Sequence, residues 1–247
     1  MHFLNNMKLT KANPKVSVLI PAYNEKSTIL EIIRQVKAVP LNKEIIIIDD
    51  FSKDGTREIL RNIRDKEVRV LFHDKNYGKG HAIRTGIKAI TGDIIIIQDA
   101  DLEYEPQDYP KLIQPIIEGK TKVVYGTRFP RIKEKFFPFF HYFSLSNPYY
   151  AANKILTITA NLLYFANITD EPTCYKVFSS DVLKKINLKC EKFEFCPEVT
   201  AKVKKAGYNI YEVPIAYHPR SVKEGKKIKL KDAFDAFWTL IKYRFND

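Results

Sequence analysis

Short apolar runs alternate with longer amphipathic segments along the first half of this 247-residue chain. The runs are rich in isoleucine and valine, which predicts five β-strands: Val16–Ile20, Glu44–Ile48, Val68–Phe72, Asp93–Ile97 and Val123–Tyr125. Strands that are apolar almost without interruption are typical of a parallel sheet covered on both faces. The pattern therefore predicts an α/β fold with a mainly parallel central sheet flanked by helices.

The segments between these strands carry apolar residues at helical spacing. In the first segment, Ser27 is placed to cap a helix whose apolar face is formed by Ile29, Ile32, Ile33 and Val36. The helices that follow are predicted at Asp54–Ile63, Lys79–Ile90 and Pro106–Ile117. Such an alternation of strands and helices places a ligand site beyond the carboxyl ends of the strands.

The alternation ends near Arg128. An aromatic connector follows, then a helical pattern over Ser146–Ile168 and mixed elements to about Tyr217. Over Leu230–Phe245, aromatic residues recur at three- and four-residue spacing opposite lysines, which predicts an amphipathic C-terminal helix. Its aromatic face either packs on the domain or lies in a lipid interface, and the pattern leaves both interpretations open.

The formal net charge of +12 suits nucleic acid, anionic lipid or phosphorylated substrates. Basic residues flank the two aromatic stretches, 131–143 and 230–245, and this arrangement favours a membrane surface over a nucleic-acid duplex. Lysines that only maintain solubility are the alternative. No apolar segment approaches the roughly 18 residues of a membrane-spanning helix, so we expect a peripheral protein.

The cysteines and the N-terminus bear on the cellular compartment. The three cysteines form no CxxC pair and have no histidine cluster beside them, so neither a zinc site nor a disulfide framework is indicated. Residues 1–14 are of mixed polarity, lack a cleavable apolar leader and are expected to be flexible. We therefore predict a cytoplasmic protein that is peripheral on the cytoplasmic membrane face.

Polar clusters follow four of the predicted strands. They are Pro21–Glu25 after the first strand, Asp49–Asp50 after the second, Asn76–Gly80 after the third and Gln98–Asp101 after the fourth. The carboxyl ends of parallel strands meet at one edge of a sheet, so we expect these clusters to lie close together. Each cluster alone is also explained by helix caps and turns.

The pair Asp99 and Asp101 is the strongest of these signals. Two carboxylates at the end of a strand can bind one hard cation while a diphosphate supplies further oxygens, which predicts Mg²⁺ or Mn²⁺. Glu103 is placed to complete the metal shell. Glycines on both sides of Lys79 suit a phosphate at the start of a helix, but their spacing matches neither a P-loop nor the dinucleotide-binding fingerprint.

In this order, the motifs VLIPAYNE, IDDFSKDG, NYGKGH and QDAD resemble those of the family 2 glycosyltransferases, which have the GT-A fold. Across roughly Val16–Leu230 the chain is most similar to the polyprenyl-phosphate sugar synthases, dolichyl-phosphate mannose and glucose synthases among them. The resemblance implies that the nucleotide is bound by Pro21, Tyr23, Glu25, Asp50, Lys79 and Asp99. It implies a metal held by Asp99, Asp101 and Glu103, although the mannose synthases usually have glutamine at the last position.

The second half of the chain resembles the acceptor-binding part of these enzymes. Arg128 is similar to the arginine that grips the acceptor phosphate, and a guanidinium can clamp phosphate with two hydrogen bonds. Asp170 lies in a motif similar to the acceptor loop, where it orients the acceptor, acts as a base or only forms a turn. Glu198 either faces the acceptor or is a glutamate favoured by a helix N-terminus. Arg220 and Lys227 belong to a segment similar to the basic loop that closes over the donor diphosphate.

Three residues are the candidates for direct roles in catalysis: Asp101, Arg128 and Asp170. The predicted reaction is the inverting transfer of a hexose from a GDP- or UDP-sugar to a polyprenyl phosphate at the membrane surface, without nucleic acid. A second copy of the chain or a membrane protein is a further candidate partner. The alternatives are a family 2 enzyme that acts on a soluble sugar or polysaccharide hydroxyl, and a non-catalytic protein that binds nucleotide sugars or nucleic acid.

The predicted organisation has three parts. A flexible N-terminus covers residues 1–14, the GT-A catalytic domain covers 15–228, and the amphipathic C-terminal helix covers 229–247. Within the domain, we expect a nucleotide-binding half at about 15–128 and an acceptor-binding half at about 129–228.

Overall fold

A seven-stranded sheet forms the centre of the protein in the computed structural model, which describes residues 13–129, 148–220 and 230–246. The strands are β1 (Val16–Ala22), β2 (Lys43–Asp49), β3 (Val68–Phe72), β4 (Ile94–Ile97), β5 (Val123–Thr127), β6 (Lys176–Ser179) and β7 (Ile210–Pro214). Their order across the sheet is β3-β2-β1-β4-β6-β5-β7. Strand β6 is antiparallel to both neighbours and the other pairs are parallel, which confirms the predicted mainly parallel sheet.

Helices connect and cover these strands. They are α1 (Ile29–Ala38), α2 (Thr56–Arg61), α3 (Lys79–Ile87), α4 (Tyr109–Ile117), α5 (Pro148–Tyr164), α6 (Ser180–Lys185), α7 (Phe195–Lys205) and α8 (Leu230–Phe245). The isoleucines of β2 and β4 are buried at consecutive positions, so both faces of these strands are covered. Burying one such side chain fully stabilises the fold by about 1.5–3 kcal/mol.

Helix boundaries differ from the sequence prediction where backbone turns override side-chain spacing. Ser27 does not cap α1, because the helix begins at Ile29 directly after Thr28. The carbonyl oxygen of Glu25 accepts the amide hydrogens of both Thr28 and Ile29 and so closes the turn into the helix. Helices α2 and α3 are shorter than predicted, and a 3₁₀ turn precedes α4, which begins beside Pro110.

The second half of the chain returns to the same sheet. Strand β6 inserts between β4 and β5, and β7 extends the sheet beside β5. One sheet therefore runs through both predicted halves of the domain, and the boundary between them stays a prediction. Residues 1–12 of the predicted flexible N-terminus lie outside the described residues.

The helices α5, α7 and α8 pack against one another. The buried faces of α5 and α8 are formed by Leu156, Ala160, Tyr164, Ala236, Leu240 and Tyr243. The Tyr164 hydroxyl donates to the carbonyl oxygen of Leu240, which joins α5 to α8. The predicted C-terminal helix is therefore confirmed, and one of its faces packs on the domain. Within the three described ranges, no helix is long and apolar enough to cross a bilayer.

Candidate active site

A cavity of about 460 Å³ lies beyond the carboxyl ends of the parallel strands. It is lined by ten of the predicted site residues: Pro21, Tyr23, Glu25, Asp50, Lys79, Asp99, Asp101, Glu103, Arg128 and Arg220. Asp170 and Glu198 are not among its lining residues, and Lys227 lies outside the described part of the chain. The four strand-end clusters thus contribute to a single cavity.

The turns that leave β1, β2 and β4 hold the backbone in an unusual conformation. Asn24, Phe51 and Leu102 have φ angles of 52°, 66° and 64°, although none is glycine. Such left-handed backbone costs roughly 1–3 kcal/mol and persists only where surrounding contacts fix it. The Asn24 amide donates to Ser52 Oγ at 2.9 Å, and the Lys53 amide donates to Asn24 Oδ1 at 2.8 Å. These bonds hold two neighbouring turns rigidly at the cavity edge.

Gln98 fixes the backbone at the end of β4, directly before the predicted metal ligands Asp99 and Asp101. Its buried Oε1 accepts the hydroxyls of Tyr109 and Tyr175 at 2.6 and 2.8 Å. Its Nε2 donates to the carbonyl oxygen of Asp99 at 2.9 Å. A buried amide that is satisfied on both sides has little freedom to move. Gln98 therefore sets the direction in which the chain leaves the sheet toward Asp101.

The carboxylate cluster at the cavity consists of Glu25, Asp99, Asp101 and Glu103. Lys79 Nζ lies 2.5 Å from Asp99 Oδ1, and Arg220 Nη2 lies 3.0 Å from Asp101 Oδ2. Arg220 also reaches Glu25, with Nη1 at 3.4 Å from Oε2. Burial raises the pKa of Asp101 to about 7, and the carboxylates of Asp99 and Glu103 add to this effect. The cluster therefore suits a further positive charge.

Glu103 ties the segment 217–220 to the cavity. Its Oε2 accepts the Tyr217 hydroxyl at 3.0 Å, and its Oε1 accepts the backbone amide of Arg220 at 3.0 Å. Its own carbonyl oxygen accepts the backbone amide of His218 at 2.8 Å. These bonds join segments that are far apart in the sequence. Glu103 therefore positions Arg220 over the cluster.

A three-ligand metal site is not preassembled from the predicted residues. Among the described residues, no group of three or more acidic, histidine or cysteine side chains is arranged to hold a metal ion. Asp99 and Asp101 nevertheless fit a hard divalent cation, because Mg²⁺ is commonly bound by one or two carboxylates together with substrate phosphates. The raised pKa of Asp101 reflects crowding that a cation would relieve. The donor set thus fits a metal whose shell a diphosphate completes.

Asp50 shapes the loop before α3. Its Oδ1 accepts the amide of Tyr77 at 2.9 Å, and its Oδ2 accepts the amide of Gly78 at 2.7 Å. Gly78 has a φ of 95°, and a Cβ there would lie 2.5 Å from the carbonyl oxygen of Glu191, so glycine is required. Asp50 therefore positions the start of α3, where Lys79 is the first helical residue.

Arg128 is held against the cavity by Asp170. The guanidinium donates from Nε and Nη2 to the two carboxylate oxygens at 2.8 and 2.7 Å, and the Arg128 amide donates to Oδ2 at 3.0 Å. The guanidinium also lies 4.9 Å from the ring centroid of Tyr217. Asp170 is fully buried, so its carboxylate is committed to this ion pair. The structure thus gives Asp170 a positioning contact and no direct exposure to the cavity.

Glu198 is not among the residues that line the cavity, and of the two interpretations left open by the sequence, its position fits the glutamate at a helix N-terminus. It is fully buried in the first turn of α7, where Oε1 accepts the Lys189 amide at 2.7 Å and pairs with Lys202 Nζ at 2.5 Å. Burial raises the pKa of Glu198, but the hydrogen bonds from Lys202 and from the Lys189 amide outweigh burial. The pKa of Glu198 is therefore lowered. Glu198 therefore stabilises the packing of α7.

The cavity also has an apolar part that sequence reasoning did not identify. Residues from α5, α7 and α8 line it: Tyr149, Ala152, Leu156, Phe195, Ala233 and Ala236. The buried Glu171 and the exposed Lys192 line the same cavity. Helical spacing could have marked Leu156 as buried. Helical spacing does not indicate that alanines from two helices distant in sequence form part of a cavity wall.

The fold and the site together define a class of enzyme. A mainly parallel sheet brings an Asp-Ala-Asp motif, a lysine and an arginine to one cavity, which is the arrangement expected of a GT-A sugar transferase. The family model Glycosyl transferase family 2 matches residues 17–187. The chain belongs to this family, and it is a glycosyltransferase.

Comparisons with known proteins agree with the resemblance predicted from the motifs. The chain is 30% identical to the UDP-N-acetylglucosamine–dolichyl-phosphate N-acetylglucosaminyltransferase of Methanococcus voltae, over 93% of this chain and 96% of that protein. It is 29% identical to the dolichol-phosphate mannosyltransferase of Pyrococcus furiosus, over 90% of this chain but only 61% of that protein.

A solved structure confirms the fold. Glucosyl-3-phosphoglycerate synthase from Mycobacterium tuberculosis, in complex with UDP, superposes with a TM-score of 0.74 at 17% identity. The match covers 97% of this chain and 83% of that one. At this identity the similarity establishes the GT-A architecture and leaves the substrates to be argued from the site.

Proposed function

We propose that this enzyme transfers a hexose from a nucleotide diphosphate sugar to a polyprenyl phosphate of the dolichyl type, with inversion at the anomeric carbon. The observation that carries the proposal is a single cavity shared by a carboxylate cluster, the largely buried side chain of Arg128 and an apolar part. A sugar diphosphate, a phosphate and a lipid chain match these three environments. The Methanococcus voltae relative, matched nearly end to end, transfers its sugar to dolichyl phosphate.

The donor diphosphate would be held at the carboxylate cluster. Asp99 and Asp101 would hold Mg²⁺ or Mn²⁺, and the Mycobacterium tuberculosis synthase has been crystallised with UDP and either ion. Such a cation, when bound, offsets the charge that develops on the departing nucleoside diphosphate. Lys79 and Arg220 supply positive charge to the same oxygens. The nearby Pro21, Tyr23, Glu25 and Asp50 line the part of the cavity that would take the nucleoside.

The acceptor phosphate would be the nucleophile. One of its oxygens attacks the anomeric carbon, the bond from that carbon to the β-phosphate oxygen breaks, and the electron pair leaves with the nucleoside diphosphate. A phosphate monoester is already an anion near pH 7, so no base is required. Arg128 orients the phosphate, and Asp170 orients Arg128.

We further propose that the enzyme works as a peripheral protein on the cytoplasmic face of the membrane. Its acceptor is a lipid, so the cavity must reach a bilayer surface. The net charge of +12 favours a surface rich in anionic lipid.

A donor and acceptor screen tests the proposed reaction. We expect purified protein with Mn²⁺ to transfer sugar from one nucleotide sugar to a short polyprenyl phosphate, and EDTA to stop the transfer. UDP-N-acetylglucosamine is the first donor to try, because the Methanococcus voltae relative uses it. The Arg128→Ala variant should lose transfer by about 10²-fold, as expected for a buried charged contact, while donor binding measured by calorimetry is kept.

Two results would contradict the acceptor assignment. One is full transfer to polyprenyl phosphate by the Arg128→Ala protein. The other is transfer to a sugar hydroxyl in place of polyprenyl phosphate, because a neutral hydroxyl needs a base where a phosphate does not.

A further inference from the structure

The exposed apolar side chains of this protein are concentrated on one helix pair. Of the eleven large apolar side chains that are exposed among the described residues, seven lie on α5, on α8 or directly after α5: Ile155, Ile158, Leu162, Phe165, Phe234, Trp238 and Phe245. Leu162 is 71% exposed and Trp238 is 58% exposed. Their spacings of three, four and seven residues put them on one face of each helix, opposite the buried face. A soluble monomer rarely exposes so many large apolar groups together.

The inner sides of the same helical turns line the cavity. In α5, Ala152 and Leu156 line the cavity, whereas the neighbouring Ile155 is exposed. In α8, Ala233 and Ala236 line the cavity on either side of the exposed Phe234. The helix pair therefore separates the apolar part of the cavity from an apolar outer surface. Of the seven residues that this helix pair contributes to the cavity wall, three are alanines: Ala152, Ala233 and Ala236.

We propose that α5 and α8 form a portal through which the lipid acceptor enters sideways from the bilayer. The outer faces of the two helices embed in the membrane, and the first isoprene units lie between them along Ala152, Leu156 and Ala236. The phosphate then reaches Arg128 without the lipid leaving the membrane. This inference rests on the proposed function, which it deepens by assigning the membrane contact and the lipid path to particular residues.

Charge argues for a bilayer as the partner of this surface. The helix pair carries exposed basic residues beside its apolar faces, among them Lys154, Lys231 and Arg244. Basic residues beside aromatic and aliphatic groups favour the interface of an anionic membrane, where the apolar groups enter the acyl region and the cations contact headgroups. Since none of the described helices spans a bilayer, this surface would lie in the interface.

Trp238 allows the docking step to be measured directly, because it is the single tryptophan of the chain. Added phosphatidylglycerol vesicles should shift its fluorescence to the blue, and brominated acyl chains should quench it. Leu162→Glu should weaken vesicle binding by at least about tenfold. Leu30→Glu is the matched control, since Leu30 is 57% exposed but lies on α1. An unshifted Trp238 spectrum, or equal weakening by both substitutions, would overturn the docking surface.

Ala152 tests the path between the helices. Ala152→Leu fills the cavity wall and should lower transfer to vesicle-bound polyprenyl phosphate by at least about tenfold, as a misplaced acceptor loses its attack geometry. Vesicle binding and donor binding should stay at wild-type levels. Ala151→Leu is the control, because this neighbour on α5 is similarly half-buried but does not line the cavity. Equal effects of the two substitutions would show that the lipid does not pass Ala152.

The failure of this inference differs from the failure of the proposed function. If the protein transfers sugar to polyprenyl phosphate while Trp238 stays in water and Ala152→Leu is fully active, the portal is wrong and the function stands. If Trp238 enters the bilayer but no polyprenyl phosphate is glycosylated with any donor, the acceptor is wrong, and with it the lipid path.

Discussion

The two ends of the sheet carry partly buried carboxylates in opposite electrostatic states. At the amino end, Glu44 accepts hydrogen bonds from Ser17 Oγ at 2.6 Å and from the amide and hydroxyl of Thr91 at 2.6 and 2.9 Å, and Lys15 Nζ lies 3.1 Å away. Burial raises the pKa of Glu44, but the bonds from Ser17 and Thr91 outweigh burial and lower the pKa to about 2. At the carboxyl end, burial and two neighbouring carboxylates raise the pKa of Asp101 to about 7.

The opposite pKa shifts of Glu44 and Asp101 distinguish a carboxylate that stabilises the fold from one that is available to a ligand. The fold itself satisfies Glu44, so this carboxylate stabilises the junction of β1, β2 and the turn before β4. The fold leaves Asp101 crowded, and Arg220 is shared among Asp101, Glu25 and Glu103. A group held in such a state costs stability and is retained where a ligand supplies the missing charge. The comparison predicts that substitutions at the two ends affect different properties.

The largest effect is expected from Asp101→Asn on catalysis. Loss of a metal ligand removes several kcal/mol of transition-state stabilisation, so turnover should fall by roughly 10³-fold or more. A carboxyl whose pKa is raised on folding destabilises the native state when it ionises. The neutral asparagine should therefore leave the free energy of unfolding within about 1 kcal/mol of the wild-type value. Initial rates with saturating Mn²⁺ and urea unfolding at pH 7 measure the two quantities.

Asp99→Asn is the companion variant, read by the same two assays. Asp99→Asn should also lose metal-dependent turnover, because Asp99 shares the predicted ion. An Asp101→Asn protein that retains turnover, or one that unfolds far more easily than wild type, would remove the distinction between the two ends of the sheet.

The Asp170→Asn variant tests what determines the role of a carboxylate: its position at the carboxyl end of the sheet, or the presence of a cation that neutralises it. Asp170 lies near the functional end, yet its charge is fully matched by Arg128. Breaking a buried ion pair on one side should cost roughly 3 kcal/mol or more of stability. We also expect a higher KM for the acceptor with a similar KM for the donor, because Arg128 loses its fixed orientation. Thermal unfolding and separate substrate titrations measure these effects, and an unchanged acceptor KM would contradict the positioning role.

The sequence predicted the parts of the fold and site that depend on local pattern. Uninterrupted isoleucine runs marked β2 and β4 because both faces of these strands are covered. The polar clusters after the strands marked the cavity, because parallel strands end at one edge of the sheet. For the same reason, the sequence predicts that Asp99 and Lys79 lie near each other, and the two side chains form an ion pair.

The remaining features arise from contacts between distant segments. Glu103 binds Tyr217 and Arg220 across more than a hundred residues, and no local spacing encodes that contact. The short strand β6 begins at Lys176, a charged residue that weakens any strand pattern, and its antiparallel insertion depends on β4 and β5. Glu198 fits a helix N-terminus and an acceptor site equally well in sequence. Only its burial against Lys202 distinguishes the two.

A smaller effect, on stability alone, is expected from Glu44→Gln at the amino end. The substitution keeps the size of the side chain but replaces an acceptor oxygen by an NH₂ group that cannot accept from Ser17 or Thr91. Loss of these bonds should cost about 1–3 kcal/mol of unfolding free energy at pH 7. Turnover of the folded protein should match wild type. Reduced turnover at full folding would contradict the assignment of Glu44 to structure.

The smallest expected effect is the pH dependence of the stability lost in the Glu44→Gln variant. The pKa of Glu44 is lowered from an ordinary value of 4.5 to about 2, so its contribution is complete above pH 4.5 and disappears as the pH falls through 2. The difference in unfolding free energy between wild type and Glu44→Gln should be constant from pH 7 to 5 and then narrow between pH 4.5 and 3. Urea unfolding across this range measures it. A difference that stays constant to pH 3 would mean that shape, and not charge, makes Glu44 stabilising, and the two ends of the sheet would then not differ in the way proposed.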